Sequence, residues 1–197
     1  MNRTFGQRVP PPTVSPIERL RKIHAEASAA APPWLADEAA AKHEAERLEA
    51  LNRFDILDTP PEEAFDKITR LTRRLFSTPI ALVSLIDGHR QWYKSSEGIL
   101  AGEAPRADTF CTRMTETSEP LIVCDAANDP RFADNPYVVG APFIRFYAGA
   151  PLITDDGKVI GSLCAFDFSP REPTDEQVAV LSDLAAMVMD ELNLRTL

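Results

Sequence analysis

The side chains able to do chemistry are few and widely spaced: cysteines at 111, 124 and 164, histidines at 24, 43 and 89, and a loose series of aspartates at 125, 129 and 134. A cysteine reacts as its thiolate, so its use depends on neighbours that lower its pKa. Cys111 opens the segment TFCTRMTET, which reads as a short helix, and a helix N-terminus favours the thiolate. Cys124 follows 13 residues later at the end of LIVC, so Cys111 and Cys124 form a candidate redox pair. Cys164 lies in an apolar run with Ile160, Leu163, Ala165 and Phe166 and reads as buried filler. No C-x2-C pair suggests structural zinc. His24 and His43 fall in a helix-forming stretch and His89 in a turn, so all three read as solvated residues. Asp125, Asp129 and Asp134 lack the calcium-loop pattern and read as caps on local backbone N–H groups. The phosphate-cradling G-x-G-x-x-G and G-x4-G-K-[ST], the nucleophile elbow G-x-S-x-G and the zinc helix H-E-x-x-H are all missing. The residues therefore predict no hydrolytic or nucleotide-consuming enzyme, no metal, and no particular cofactor.

Aromatic and cationic residues carry more information. Arg131-Phe132, Phe143 and Arg145-Phe146-Tyr147 sit in or beside a long connection, and Trp92-Tyr93 in a hairpin. A long loop roofing a sheet, with a few polar groups among aromatics, is a common form of small-molecule site. The candidate ligand-binding residues are Trp92, Phe110, Cys111, Arg131, Phe132, Arg145 and Tyr147. The alternative is that these aromatics simply complete a core beneath the loop.

The elements that must position them follow from periodicity. Residues 1–16 are rich in proline and read as a flexible tail; residues 17–43 read as a helical extension. ADEAAAKHEAERLEALNRF is strong in helix formers, with an apolar stripe at Ala41, Ala45, Leu48, Leu51 and Phe54. That stripe packs either on its own domain or on a second copy. Thr59-Pro60-Pro61-Glu62 reads as a capping box opening a helix whose buried face is Phe65, Ile68, Leu71, Leu75 and Phe76, with Pro79 stopping it. IALVSLID is an apolar strand, Asp87-Gly88-His89-Arg90 a hairpin turn, and RQWYKSSE the paired strand, with Gln91 and Tyr93 alternating against Trp92 and Lys94. A second hairpin turns at Asp155-Asp156-Gly157, and Thr174-Asp175-Glu176-Gln177 caps a last helix. Two hairpins flanked by helices predict an α+β fold, an antiparallel sheet covered by helices on one face. Residues 98–145 form a connection too long to be idle, so it is expected to roof a site.

The formal net charge of −9 and the pI near 4.9 argue against nucleic acid and against an electrostatic membrane anchor. No run approaches a spanning helix, and MNRTFGQRVPPPTVSP holds no apolar signal core. The expectation is a cytoplasmic chain with reduced thiols.

With these elements in place the sequence resembles a family. EAERLEALNRFDILDTPPEEAFDKITRLTRRLFSTPIALVSLIDGHRQWYKSSEGI looks like the opening of a bacterial GAF domain, and the segments DPRFADNP, IRFYAGAPL and GSLCAFD continue it in order over residues 44–197. The resemblance implies a GAF fold with a ligand pocket on the face opposite the terminal helices, a sensory or regulatory role in signalling, and a homodimer formed through those helices. It implies either a free-standing module that passes its signal to a signalling-protein partner or a fragment of something larger. Cyclic-nucleotide-binding relatives carry an NKxnFx3DE pattern that is missing here, and bilin-binding relatives a Cys-His dipeptide, where Thr112 follows Cys111. The enzymatic branch, free methionine-(R)-sulfoxide reductase, would use Cys111, but IRFYAGAPL lacks the cysteine that branch needs. A dimerisation scaffold with a self-filled pocket is the remaining alternative.

Overall fold

In the computed structural model the described residues are 38–196. The proline-rich tail over 1–16 and the helical extension up to residue 37 lie outside them. Helices α1 (Glu38–Asn52) and α2 (Glu63–Phe76) precede strands β1 (Ile80–Ile86), β2 (Arg90–Glu97) and the short β3 (Glu103–Pro105). Two 3-10 helices follow, Arg106–Asp108 and Phe110–Glu116, then β4 (Leu121–Val123), the one-turn α3 (Pro136–Val139), β5 (Phe146–Ile153), β6 (Val159–Asp167) and α4 (Asp175–Leu194). The strands form one antiparallel sheet in the order β3-β2-β1-β6-β5-β4.

The two expected hairpins meet at its centre, where β1 pairs with β6 from Ile80↔Phe166 to Leu85↔Gly161. Every residue of both strands is buried, because the sheet is covered on both sides. Odd-numbered residues of β1, Val83 and Leu85, join β5 residues Phe146, Ala148 and Ala150 against α2 and α4. Even-numbered Leu82 and Ile86 face the other way, against Phe110, Met114, Phe132 and Tyr137 from the long connection. That division is the period-2 geometry of a strand acting on both faces at once. Gly161 is required at the seam: a Cβ there would lie 2.1 Å from the Ser84 carbonyl oxygen.

Several expectations needed correction. The apolar stripe of α1 holds only at its end: Leu51 and Phe54 are core, but Ala45 is exposed, and Glu44, Arg47 and Ala50 are buried in its place. Arg47 donates to Ile86 O (2.6 Å) and pairs with Glu44 (2.7 Å), and Glu44 also receives Arg106 Nη2 (3.0 Å). A carboxylate shared by two guanidinium groups, with a strand-end carbonyl beside it, pairs the buried charge, which is the condition for tolerating it. In α2, Leu71 is exposed, and Thr69 and Thr72 are buried with their hydroxyls donating to Phe65 O and Ile68 O. Thr59 does not cap that helix. Its hydroxyl donates to Ile56 O (2.6 Å) and, together with Pro60 O and Glu62, accepts from the buried ammonium of Lys94 at 2.6–2.8 Å. The motif TPPE thus leads into α2 as expected, with Glu62 at the N-cap, but its polar groups cradle a cation from β2 instead of forming a capping box. Ser77, in the left-handed region at φ 51, ends α2 ahead of Pro79. The capping box at Thr174 and Gln177 is present as expected.

Burial works against the charge of Glu44, but the hydrogen bonds and charges of Arg47 and Arg106 outweigh it and lower its pKa from 4.5 to about 2. The ionised carboxylate therefore contributes stability above pH 4.5, and this is lost as pH falls towards 2. Replacing Glu44 by Gln strands two buried guanidinium groups and should cost about 3 kcal/mol at neutral pH in denaturant unfolding. The gap between wild type and variant should close as the measurement is repeated down from pH 4.5 to about 2.

Candidate functional site

On the sheet face away from α2 and α4, the long connection does not seal completely. It leaves a cavity of about 60 Å³. A buried water needs roughly 10–15 Å³, so this space holds a molecule of a handful of heavy atoms. Strands β1, β2 and β6 supply its floor through Leu82, Tyr93 and Phe166, and the connection supplies its roof through Phe110, Tyr137 and Ile144. Polar groups are sparse: Gln91, Thr109, Glu103 and the two tyrosine hydroxyls. No cationic side chain lines it. Exposed apolar side chains, Leu100, Val139 and Phe143, belong to the same connection that walls it.

The roof is held by local bonds that the sequence encodes. Asn135 caps α3 by accepting from Tyr137 N (2.8 Å) and donates to Asp108 O (2.9 Å), fastening one stretch of the connection to another. Arg145 donates to Val138 O and Ile144 O, both at 3.0 Å. Asp129 accepts from Arg131 N (2.9 Å) and Asp125 from Ala127 N (3.2 Å), the local capping expected of this aspartate series. Among the described residues no cluster of His, Cys, Asp and Glu could hold a metal ion.

The residues predicted for the pocket are only partly brought together. Phe110 lines the cavity, stacked on Phe132 (4.4 Å between centroids) and on Tyr147 (5.2 Å). Phe132 and Tyr147 lie behind that wall, both buried. Arg131 is exposed, bound to Asp129 and set over the Phe132 ring at 5.5 Å. Arg145 is a brace for the roof. Trp92 packs in the core on the helix side, because neighbours along a strand point to opposite faces. The alternation in RQWYKSSE already separates Trp92 from Tyr93, and applying it would have placed Tyr93 and Gln91 at the cavity. Tyr137 and Ile144 were missed because their approach is set by the path of the connection, which no local pattern reports.

Cys111 lies behind Phe110 and is wholly buried. Its sulfur accepts from Gln91 Nε2 (3.1 Å) and lies 3.2 Å from the Tyr147 hydroxyl, which is also 3.1 Å from Met114 Sδ. Cys111 and Met114 are three apart on a 3-10 helix, where such residues eclipse. The neighbouring thiol is that of Cys164, at 3.9 Å, not Cys124, which is exposed. Ser84 and Ser162 join the cluster, their hydroxyl oxygens 3.1 Å apart. Burial disfavours charge on both thiols; at Cys111 the hydrogen bonds from Cys164, Ser162, Tyr147 and Gln91 prevail, so it is the more acidic, while burial and the Cys111 contact push Cys164 up.

Comparison with known proteins places this geometry among relatives. The GAF domain family matches residues 60–192. A cyclic di-GMP phosphodiesterase of Pseudomonas aeruginosa is 41% identical over 165 residues, which is 83% of this chain and 27% of that protein. The chain therefore spans about a quarter of the length of that relative. Among solved structures, the GAF domain of an Acinetobacter phosphoenolpyruvate-protein phosphotransferase superposes with a TM-score of 0.57 at 15% identity, covering 80% of this chain and 95% of the other. A free methionine-R-sulfoxide reductase of Neisseria meningitidis gives 0.54 at 18% identity, covering 81% and 93%. The chromophore-binding domain of a bacteriophytochrome of R. palustris gives 0.56 at 13%, covering 81% and 63%. At these identities the structural likeness shows the fold.

The ring of Tyr147 can lie along its strand only because residue 149 lacks a side chain: a Cβ there would fall 2.2 Å from the phenol oxygen. Gly149→Ala should therefore push Tyr147 away from Cys111 and Met114 and lower stability by about 1–3 kcal/mol, as overpacking of a filled core does. Chemical denaturation measures the loss, which Tyr147→Phe in the same chain should reduce only in part, because it removes the nearest atom and leaves ring carbons at 2.7 and 2.9 Å.

Proposed function

The chain belongs to the GAF domain family, and from that premise we propose that it is a cytoplasmic sensory module that takes up a small uncharged molecule in the cavity beneath residues 98–145 and signals through its terminal helices. GAF domains are generally sensory or regulatory parts, and this supports the reading. The cavity carries the reading. Its walls are aromatic and aliphatic, with a few hydrogen-bonding groups, Gln91, Thr109 and the tyrosine hydroxyls, placed to orient a ligand. Without a lining cation it offers nothing to a phosphate, a carboxylate or a cyclic dinucleotide. Its volume of about 60 Å³ also lies well below the roughly 300 Å³ where sites for drug-sized ligands begin. The buried position of Cys111, with no cation lining the cavity to hold an amino acid's carboxylate, supports a binding role over a sulfoxide reductase.

The output surface in this proposal is α4. Val180, Met187 and Leu194 recur every seven residues and are exposed on a helix whose opposite side, Leu181, Leu184, Val188 and Leu192, is core. A seven-residue apolar repeat supplies one of the two apolar positions per heptad of a two-helix seam, and a second copy of the chain supplies the same stripe. Among the described residues no helix is long and apolar enough to cross a membrane. Through the paired helices a change in cavity packing reaches a signalling partner.

Two measurements test this. In a thermal-shift series, a five-atom neutral probe such as pyrrole or pyrazole should raise the melting temperature and cyclic di-GMP should not; Ala101→Phe, which fills the space from its wall, should abolish the response while the variant stays folded. Stabilisation by cyclic di-GMP with none from the neutral probes overturns the ligand class. In sedimentation, Met187→Glu should shift a dimer to monomer; an unchanged dimer, or a wild type that is monomeric throughout the micromolar range, overturns the helix seam.

A further inference from the structure

The ligand reading leaves two side chains unused, the thiols of Cys111 and Cys164. Both are fully buried, neither is bonded to the other, and their sulfurs are 3.9 Å apart. A disulfide needs about 2.05 Å, so roughly 2 Å of closure separates contact from bond. The two residues differ in how they are held. Cys164 is fixed in β6 between Leu82 of β1 and Gly149 of β5. Cys111 sits on a 3-10 helix in the connection, a segment tied by side-chain contacts and not by a strand ladder, so the closing movement falls to it.

The surroundings differ as well. Gln91 donates to Cys111 Sγ, and the Tyr147 hydroxyl is within 3.2 Å of the same sulfur. These groups stabilise charge on Cys111, while Cys164 retains its proton. One sulfur is thus prepared to attack and the other to resolve. The cavity comes within one side chain of Cys111, because Phe110 and Gln91, which touches the Cys111 sulfur, are part of its lining while Cys111 itself is buried behind them. A space of about 60 Å³ admits a small neutral oxidant and excludes a tripeptide disulfide.

We propose that Cys111 and Cys164 form a second, redox-active site that reacts with hydrogen peroxide to give an intrachain disulfide. The Cys111 sulfur attacks one peroxide oxygen, the O–O bond breaks, and the departing hydroxide leaves as water with the thiol proton, giving a sulfenic acid on Cys111. The Cys164 sulfur then attacks the Cys111 sulfur; the S–O bond breaks and hydroxide leaves as water with the Cys164 proton. Two thiols and one peroxide become one disulfide and two waters. Closure draws the 3-10 helix towards β6 and with it Phe110, a wall of the cavity. The site therefore couples oxidation to the shape of the pocket, yet its chemistry needs no ligand.

The test uses the whole chain carrying Cys124→Ser, which removes the exposed thiol. After hydrogen peroxide, denaturation and alkylation, the two remaining thiols should no longer react, and peptide mapping should show Cys111 joined to Cys164 with the loss of two hydrogens. Dithiothreitol should restore both. Adding Cys164→Ala should stop the reaction at a Cys111 sulfenic acid that dimedone traps, with far-UV circular dichroism reporting the fold; if that variant does not fold, the crosslink in its parent decides. Glutathione disulfide should leave both thiols free. Thiols that stay alkylatable at peroxide concentrations that consume free cysteine, oxidation of Cys111 to sulfinate without a crosslink, or a glutathione adduct on Cys111 each overturn the proposal.

Discussion

The sheet is buried on both faces, and the rest of the molecule follows from that constraint. β1 and β6 pair at the centre with every residue out of solvent. A strand alternates its side chains, so each face needs its own cover. The helices α2 and α4 cover one, and only the 48-residue span from Gly98 to Arg145 remains to cover the other. An irregular cover packs less completely than a helix pair. The cavity lies where the connection passes over β2, and its walls are the aromatic residues of that same cover.

Buried charge makes the second set of constraints. Arg47, Glu44 and Arg106 tie α1 to the end of β1 and to the 3-10 turn after β3. Lys94 ties β2 to the stretch before α2. Removing one partner of such a cluster is costly because the others stay behind uncompensated. These contacts therefore specify where α1 and the pre-α2 segment sit more than they add raw stability. In the proposed signalling role this placement matters, since α1 and α4 are the first and last helices described.

Cavity and thiol pair are neighbours on the same face. Phe110 walls the cavity, Cys111 follows it in the chain, and Gln91 belongs to both. Gly149 leaves room for Tyr147, whose hydroxyl joins the sulfur cluster. A change at either place moves the same short 3-10 helix, so ligand uptake and thiol oxidation would be read by one mechanical element.

Much of this was legible in the sequence. Hairpin turns at Gly88 and Gly157, the apolar runs of β1 and β6 and the Thr174 capping box are local signals, and local signals survive folding because they depend on residues close in the chain. The order of elements together with the GAF-like segments determined the fold class. Trp92 was misplaced although its own strand alternation held the answer. Other features could not be read at all. The burial of Glu44 and Arg47 depends on a carbonyl 39 residues away. TPPE has the form of a helix start, and only the arrival of Lys94 from β2 turns it into a cation cradle. Cys164 reads as filler until folding sets it 3.9 Å from Cys111, 53 residues distant. The sequence by itself determined which segments become strands and helices, because those choices rest on near neighbours. The tertiary structure alone decided which charges could be buried, where the roof leaves space and which two sulfurs meet, because each depends on groups brought together only when the connection closes over the sheet.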